Sequence, residues 1–133
     1  MKIEINGPII NDGDQWIYDW FEIPATSPKK VKNLLDKATF HKVQEVLVTI
    51  NSGGGSVYAA SEIYTALKSF TGKVKIQIVG MAASAASVIA MAGYTEMSPT
   101  AMLMIHNAAT SNWGDYNSMD ETSDFLQKVN LQD

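Results

Sequence analysis

Apolar and polar positions alternate at the start of the chain. Ile3 and Ile5 stand between Lys2, Glu4 and Asn6, and Gly7-Pro8 then breaks the run. A period of two turns one face inward, so residues 1–10 are expected to hold a short strand. Asp12-Gly13 is a turn signal, followed by Trp16, Ile17, Tyr18, Trp20 and Phe21. Aromatics suit the pleated surface of a sheet, so a strand anchoring the core is expected there. At Ser27-Pro28 the period changes. Serine caps helices, proline suits the first helical position, and Val31, Leu34, Leu35 and Ala38 recur at helical spacing with lysines between them. This predicts a helix over 28–38.

Residues 44–50 (QEVLVTI) read as a strand that stops at Asn51-Ser52-Gly53-Gly54-Gly55, where consecutive glycines break any regular element. Val57, Ala60, Ile63, Tyr64, Leu67 and Phe70 then predict a helix that ends at Thr71-Gly72. Residues 73–79 alternate again, with Val74, Ile76 and Ile78 on one face and Gly80 as the expected stop. A small-residue helix over 83–92, closed by Gly93, a strand over 101–105 and an amphipathic helix from about 115 complete the reading. Met119, Thr122, Phe125, Leu126 and Val129 mark the last helix. Strands alternating with helices predict βαβ units and a mostly parallel α/β sheet. No internal repeat or linker interrupts the 133 residues, which is the length of one domain.

Composition narrows the function. The chain is 46% hydrophobic and 18% charged, which argues against disorder throughout. Its net charge of −4, with no Lys/Arg run, argues against nucleic acid as a partner. Cysteine is absent, which removes disulfides, thiolate metal sites and a cysteine nucleophile. The two histidines, His41 and His106, are far apart, so no multi-histidine metal site is expected. The most apolar stretch, Ile76 to Ala92, is rich in Ala and Ser and reads as buried core, not as a membrane span. The start, Met1-Lys2-Ile3-Glu4, is not expected to be a signal peptide, because no apolar stretch follows a basic one.

Three strand ends carry the candidate chemistry, because sites on open α/β sheets form beyond the carboxyl ends of the strands. The loop NSGGGS at 51–56 offers uncovered backbone N–H groups, which fit an oxyanion cradle or only a tight turn. It lacks the lysine of a phosphate loop. Ser84 falls where a strand meets a helix, as a helix cap or as a nucleophile beside the first helical amides. Ser87, one turn on, is explained as well by packing. His106 follows the strand at 101–105, as a structural residue or as a base. Serine, base and backbone donors at one sheet edge are the parts of a serine hydrolase. Asp115, Asp120 and Asp124 follow His106, where an orienting acid is sought; a solvated helix face and the helix dipole explain them equally. His41, beside Lys42, reads as exposed and without a role. The Trp16/Tyr18/Trp20 cluster reads as core or subunit contact before base stacking.

Together, INSGGGSV at 50–57, GMAASAASVIAMAG at 80–93 and MIHN at 104–107 resemble the ClpP family of serine peptidases, in the family's order and near its spacing. The likeness covers essentially the whole chain. WIYDWF at 16–21, followed by ATSP at 25–28, is similar to the opening of the phage and prophage branch, the ClpP-like head maturation proteases. The resemblance implies the ClpP/crotonase-like α/β spiral in one domain and peptide-bond hydrolysis. It makes Ser84 the nucleophile and His106 the general base. It assigns the oxyanion-hole amides to Gly54 and Ala85, and strand pairing with extended substrate to Gly55, Ser56 and Val57, with Asn107 and Ala108 flanking the substrate from the other side. It also implies homo-oligomeric rings, a possible Clp-type ATPase partner and the bacterial cytoplasm as location.

The sequence departs from the family in three places. The stretch between Gly93 and Met97 is shorter, as a shorter hairpin explains, so Ser84 and His106 are 22 residues apart. Gly53 stands where the family usually has proline. The family's third triad residue, an aspartate, lies beyond a long handle helix; the helix expected from about 115 resembles that helix, and the 133 residues are expected to stop within it. None of Asp115, Asp120 and Asp124 is therefore assigned as the triad acid. Losing that orienting acid costs about 10⁴ in rate, so weak activity is expected of the chain as it stands. The alternatives are a host-type degradative Clp subunit, a crotonase-like acyl-CoA enzyme sharing the glycine loop, and an inactive assembly fragment.

Overall fold

The computed structural model describes residues 1–104. Five strands form one sheet: β1 (Lys2–Asn6), β2 (Glu45–Ser52), β3 (Lys73–Ala83) and β4 (Tyr94–Met97) lie in that order, and β5 (Met102–Met104) pairs with the far end of β3. All pairings are parallel. Parallel neighbours need crossovers, and helices supply them. α1 (Gln15–Trp20) and α2 (Pro28–Phe40) connect β1 to β2, α3 (Val57–Lys68) connects β2 to β3, and α4 (Ala85–Ile89) connects β3 to β4. The result is a small α/β domain with a parallel sheet, as the alternation of strands and helices predicted.

The register explains the core. Ile3 pairs with Val48 and Val48 with Ile76; Ile5, Ile50 and Ile78 form the next row. All six are buried, and α2 and α3 cover them with Val31, Leu35, Ile63 and Leu67. The alternate rows carry Lys2, Leu47, Lys75 and Tyr94, then Glu4, Thr49, Gln77 and Glu96. That face is mostly polar. The cap expected at Ser27 is present, and Ser56 adds a second. Ser27 Oγ accepts from Lys30 N–H at 3.4 Å, and Ser56 Oγ accepts from Ala59 N–H at 3.2 Å.

Three expectations are corrected. Residues 16–21 do not form a core strand. They lie in and just after α1, with Trp16 68%, Trp20 77% and Phe21 64% exposed. Ile10 N–H donates to Thr26 O, so the chain from Asn11 to Ala25 makes an excursion outside the sheet. Tertiary placement overrides aromatic strand propensity here. Second, β3 does not stop at Gly80 but continues to Ala83. Ile50 pairs with Ile78, yet Ser52 pairs with Ala82, so β3 bulges opposite Asn51. A Cβ on Gly80 would stand 2.3 Å from Asn51 Oδ1. The glycine marks a bulge, not a terminus. Third, residues 94–97, assigned to no element from the sequence, form a strand. This edge segment, YTEM, has only Thr95 half-buried and gives a weak periodic signal.

The core arrangement yields a stability prediction. Ile63→Ala removes a fully buried side chain and is expected to cost about 2–5 kcal/mol in denaturant unfolding. Tyr58→Ala, at 86% exposure, is expected to change stability by about 0.5 kcal/mol or less.

Candidate active site

β2 and β3 run side by side and end together, at Ser52 and Ala83. The first turns into the glycine loop and the second into Ser84. Ser84 has φ 54° and ψ −125°, a conformation that side chains other than glycine rarely adopt. Such a backbone costs about 1–3 kcal/mol and persists only where its surroundings enforce it. Two contacts enforce it. Ser84 N–H donates to Met104 O at 2.9 Å, and Ser84 O accepts from Ser87 N–H at 3.0 Å. The Ser87 hydroxyl also donates to Ser84 O, so this buried serine holds the turn. The Ser84 hydroxyl makes no helix-cap hydrogen bond. The cap reading therefore does not explain this serine. A half-exposed hydroxyl on a sharp strand-to-helix turn has the geometry of a nucleophile elbow.

The glycine loop is packed onto that turn. Gly54 has φ 106°, and a Cβ there would stand 2.8 Å from both Ala83 O and Ser84 Cβ, and 3.2 Å from Ala85 N. Only a bare backbone lets the loop approach the serine this closely. Ser84, Gly54 and Ala85 are thus brought together. Ala85 opens α4, so its N–H is among the helical amides without an intrahelical acceptor.

The loop amides divide unequally. Gly54 N–H donates to Ser52 Oγ at 3.1 Å. Gly54 O accepts from Ile9 N–H at 2.9 Å. A trans peptide sets its C=O and N–H antiparallel, so the Gly55 N–H points away from Ile9. Among the described residues it donates to nothing. Ser56 N–H donates to Ile9 O at 2.9 Å, and Ser56 Oγ caps α3. Val57 is 63% exposed at the first turn of α3. His41 is exposed at the end of α2, edge-on to Phe40.

His106, Asn107, Ala108, Asp115, Asp120, Asp124 and the expected helix from about 115 lie outside the described residues. Sequence reasoning passed over Ser52. The signal was there: Val46, Val48 and Ile50 alternate inward, and Ser52 is the polar residue at the next inward position. Among the described residues no group of three or more His, Asp or Glu side chains could hold a metal, and no helix is long and apolar enough to cross a membrane.

A parallel α/β domain with a strained serine turn against a glycine loop defines a class of hydrolase-like scaffold, and comparison with known proteins narrows it. The sequence model of the family described as Clp protease matches residues 24–132. The ATP-dependent Clp protease proteolytic subunit of Bacteroides fragilis is 34% identical over 89 residues, covering 65% of this chain and 43% of the relative. That of Bacteroides thetaiotaomicron is 33% identical over 89 residues, covering 65% and 40%. Among solved structures, ClpP1 from Listeria monocytogenes superposes with a TM-score of 0.68 at 21% identity, over 98% of this chain and 71% of that one. A mutant of the same ClpP1 gives 0.65 at 23% identity, over 98% and 68%. The chain belongs to the Clp protease family. It spans less than half the length of these curated relatives.

The close approach at Gly54 is testable. Gly54→Ala forces a Cβ against backbone at 2.8 Å with a positive φ, and is expected to destabilise the fold by about 1–3 kcal/mol in chemical denaturation. Gly13→Ala, with nothing within 4 Å of the added carbon, serves as the matched control and is expected to shift stability by about 0.5 kcal/mol or less.

Proposed function

We propose that the chain is a serine endopeptidase. The observation that carries this is the strained Ser84 turn with Gly54 packed on it and the Ala85 amide beside it. Ser84 Oγ attacks the scissile carbonyl. His106 takes the proton and later delivers it to the leaving amine. His106 follows Met104 by two residues, and Met104 O accepts from Ser84 N–H. That short sequence separation from a residue bonded to Ser84 supports its role. The oxyanion is held by Ala85 N–H and by the glycine loop. The family resemblance assigns the loop donor to Gly54. Because Ser52 Oγ engages the Gly54 amide, the open Gly55 amide is the better fitted donor of the two. Extended substrate pairs along Gly55 to Val57, the loop edge away from Ile9, with Asn107 opposite. No metal or nucleotide takes part in the chemistry.

The opening WIYDWF favours the phage and prophage branch, with capsid maturation as the role. A second reading, a degradative subunit fed by a Clp ATPase, is supported by the names of the Bacteroides relatives. Either role calls for homo-oligomeric rings in the cytoplasm. The exposed Trp16, Trp20 and Phe21 fit a subunit contact, since aromatic side chains left in water are costly and enrich interfaces. Stable capture of a Clp ATPase by the chain supports the degradative reading and counts against the phage one.

The chemistry is tested on a fluorogenic peptide. Ser84→Ala and His106→Ala are each expected to lower kcat by about three orders of magnitude or more with the fold intact. Acyl-CoA turnover that survives Ser84→Ala contradicts the peptidase reading.

A further inference from the structure

The loop that faces Ser84 is not self-supporting. It is strapped to the turn that follows β1. Gly7 N–H donates to Asn51 O at 3.1 Å, Ile9 N–H donates to Gly54 O at 2.9 Å, and Ser56 N–H donates to Ile9 O at 2.9 Å. Ser52 closes the strap from inside. Its hydroxyl donates to Gly7 O at 2.6 Å and accepts from Gly54 N–H at 3.1 Å. It is 2% exposed, so neither bond is exchanged for water. Consecutive glycines have the largest conformational freedom of any sequence, and Gly53 has nothing within 4 Å of an added Cβ. The peptide between Gly54 and Gly55 is therefore fixed by its neighbours: Ile9 holds its carbonyl, and Ser52 holds the amide one residue earlier.

We propose that Ser52 is a positioning residue for peptide hydrolysis, aiming the glycine-loop amide at the oxyanion by tying the loop to Gly7. This rests on the serine endopeptidase reading. An oxyanion donor acts only when it is held at the position where charge develops. A displacement of about 1 Å costs up to about 10²-fold in rate. Ser52 touches neither substrate nor the attacking oxygen, so its loss should act on kcat through the loop and leave substrate affinity in place.

The test compares Ser52→Ala, Ser52→Cys and Ser52→Thr with the unmodified chain on a fluorogenic peptide, at equal folded fraction by circular dichroism. Ser52→Ala removes both bonds, and the near-isosteric Ser52→Cys weakens them without opening a cavity. Both are expected to lower kcat about 10- to 100-fold with KM within about twofold. Ser52→Thr keeps the hydroxyl and is expected to recover kcat to within about threefold of the unmodified chain. Amide hydrogen exchange at residues 53–55 should speed up in the Ala and Cys variants and not in the Thr variant. An active chain whose folded Ala and Cys variants keep kcat within about twofold overturns the assignment alone. So does a fall in all three variants that tracks only their stability. An unmodified chain that neither cleaves peptide nor reacts with a fluorophosphonate overturns the hydrolase reading, and this assignment with it.

Discussion

The arrangement depends on one close approach. Gly54 lies so near the β3–α4 turn that a single added carbon would stand 2.8 Å from Ala83 O and Ser84 Cβ. That approach requires β2 and β3 to end level with each other, and the parallel register provides it. The bulge opposite Asn51 lets β3 take up extra residues before Ala83 while Ser52 stays paired with Ala82. The buried rows of Ile3, Val48 and Ile76, and of Ile5, Ile50 and Ile78, hold the two strands in that register. A slip by one residue would turn these side chains out of the core. Hydrophobic burial thus fixes strand register, register fixes where the strands end, and the strand ends bring a bare backbone onto a strained serine.

Much of this was legible in the sequence. The β-branched run at 44–50, the period-two run at 73–79 and the helical spacing from Val31 and from Val57 gave β2, β3, α2 and α3, because each element buries much of its apolar surface. The glycine run and Ser84 pointed to the place where the structure packs Gly54 against the serine turn. What was missed has physical causes. WIYDWF has strand-forming side chains, but its backbone is outside the sheet, so it forms a short helix with its rings in water. Gly80 looks like a stop because a bulge and a terminus both favour glycine. Ser52 looked like loop polarity, and only its burial and its two partners reveal it as a strut.

Family membership and local geometry support the same chemistry by different routes. The family match covers residues 24–132, whereas the site geometry uses residues from both ends of the described chain: Gly7 and Ile9 at one end and Met104 at the other. The N-terminal turn precedes the matched region, yet four of its backbone groups shape the glycine loop. A turn that reads as a simple connection is therefore part of the catalytic scaffold in this account.

The central claim is that the strained turn and the glycine loop together make Ser84 a reactive nucleophile. Covalent labelling with a fluorophosphonate, followed by peptide mapping by mass spectrometry, tests it most directly. The account predicts one adduct per chain, on Ser84, with Ser52, Ser56 and Ser87 unmodified. An adduct on another serine, or none on a folded chain, would contradict it.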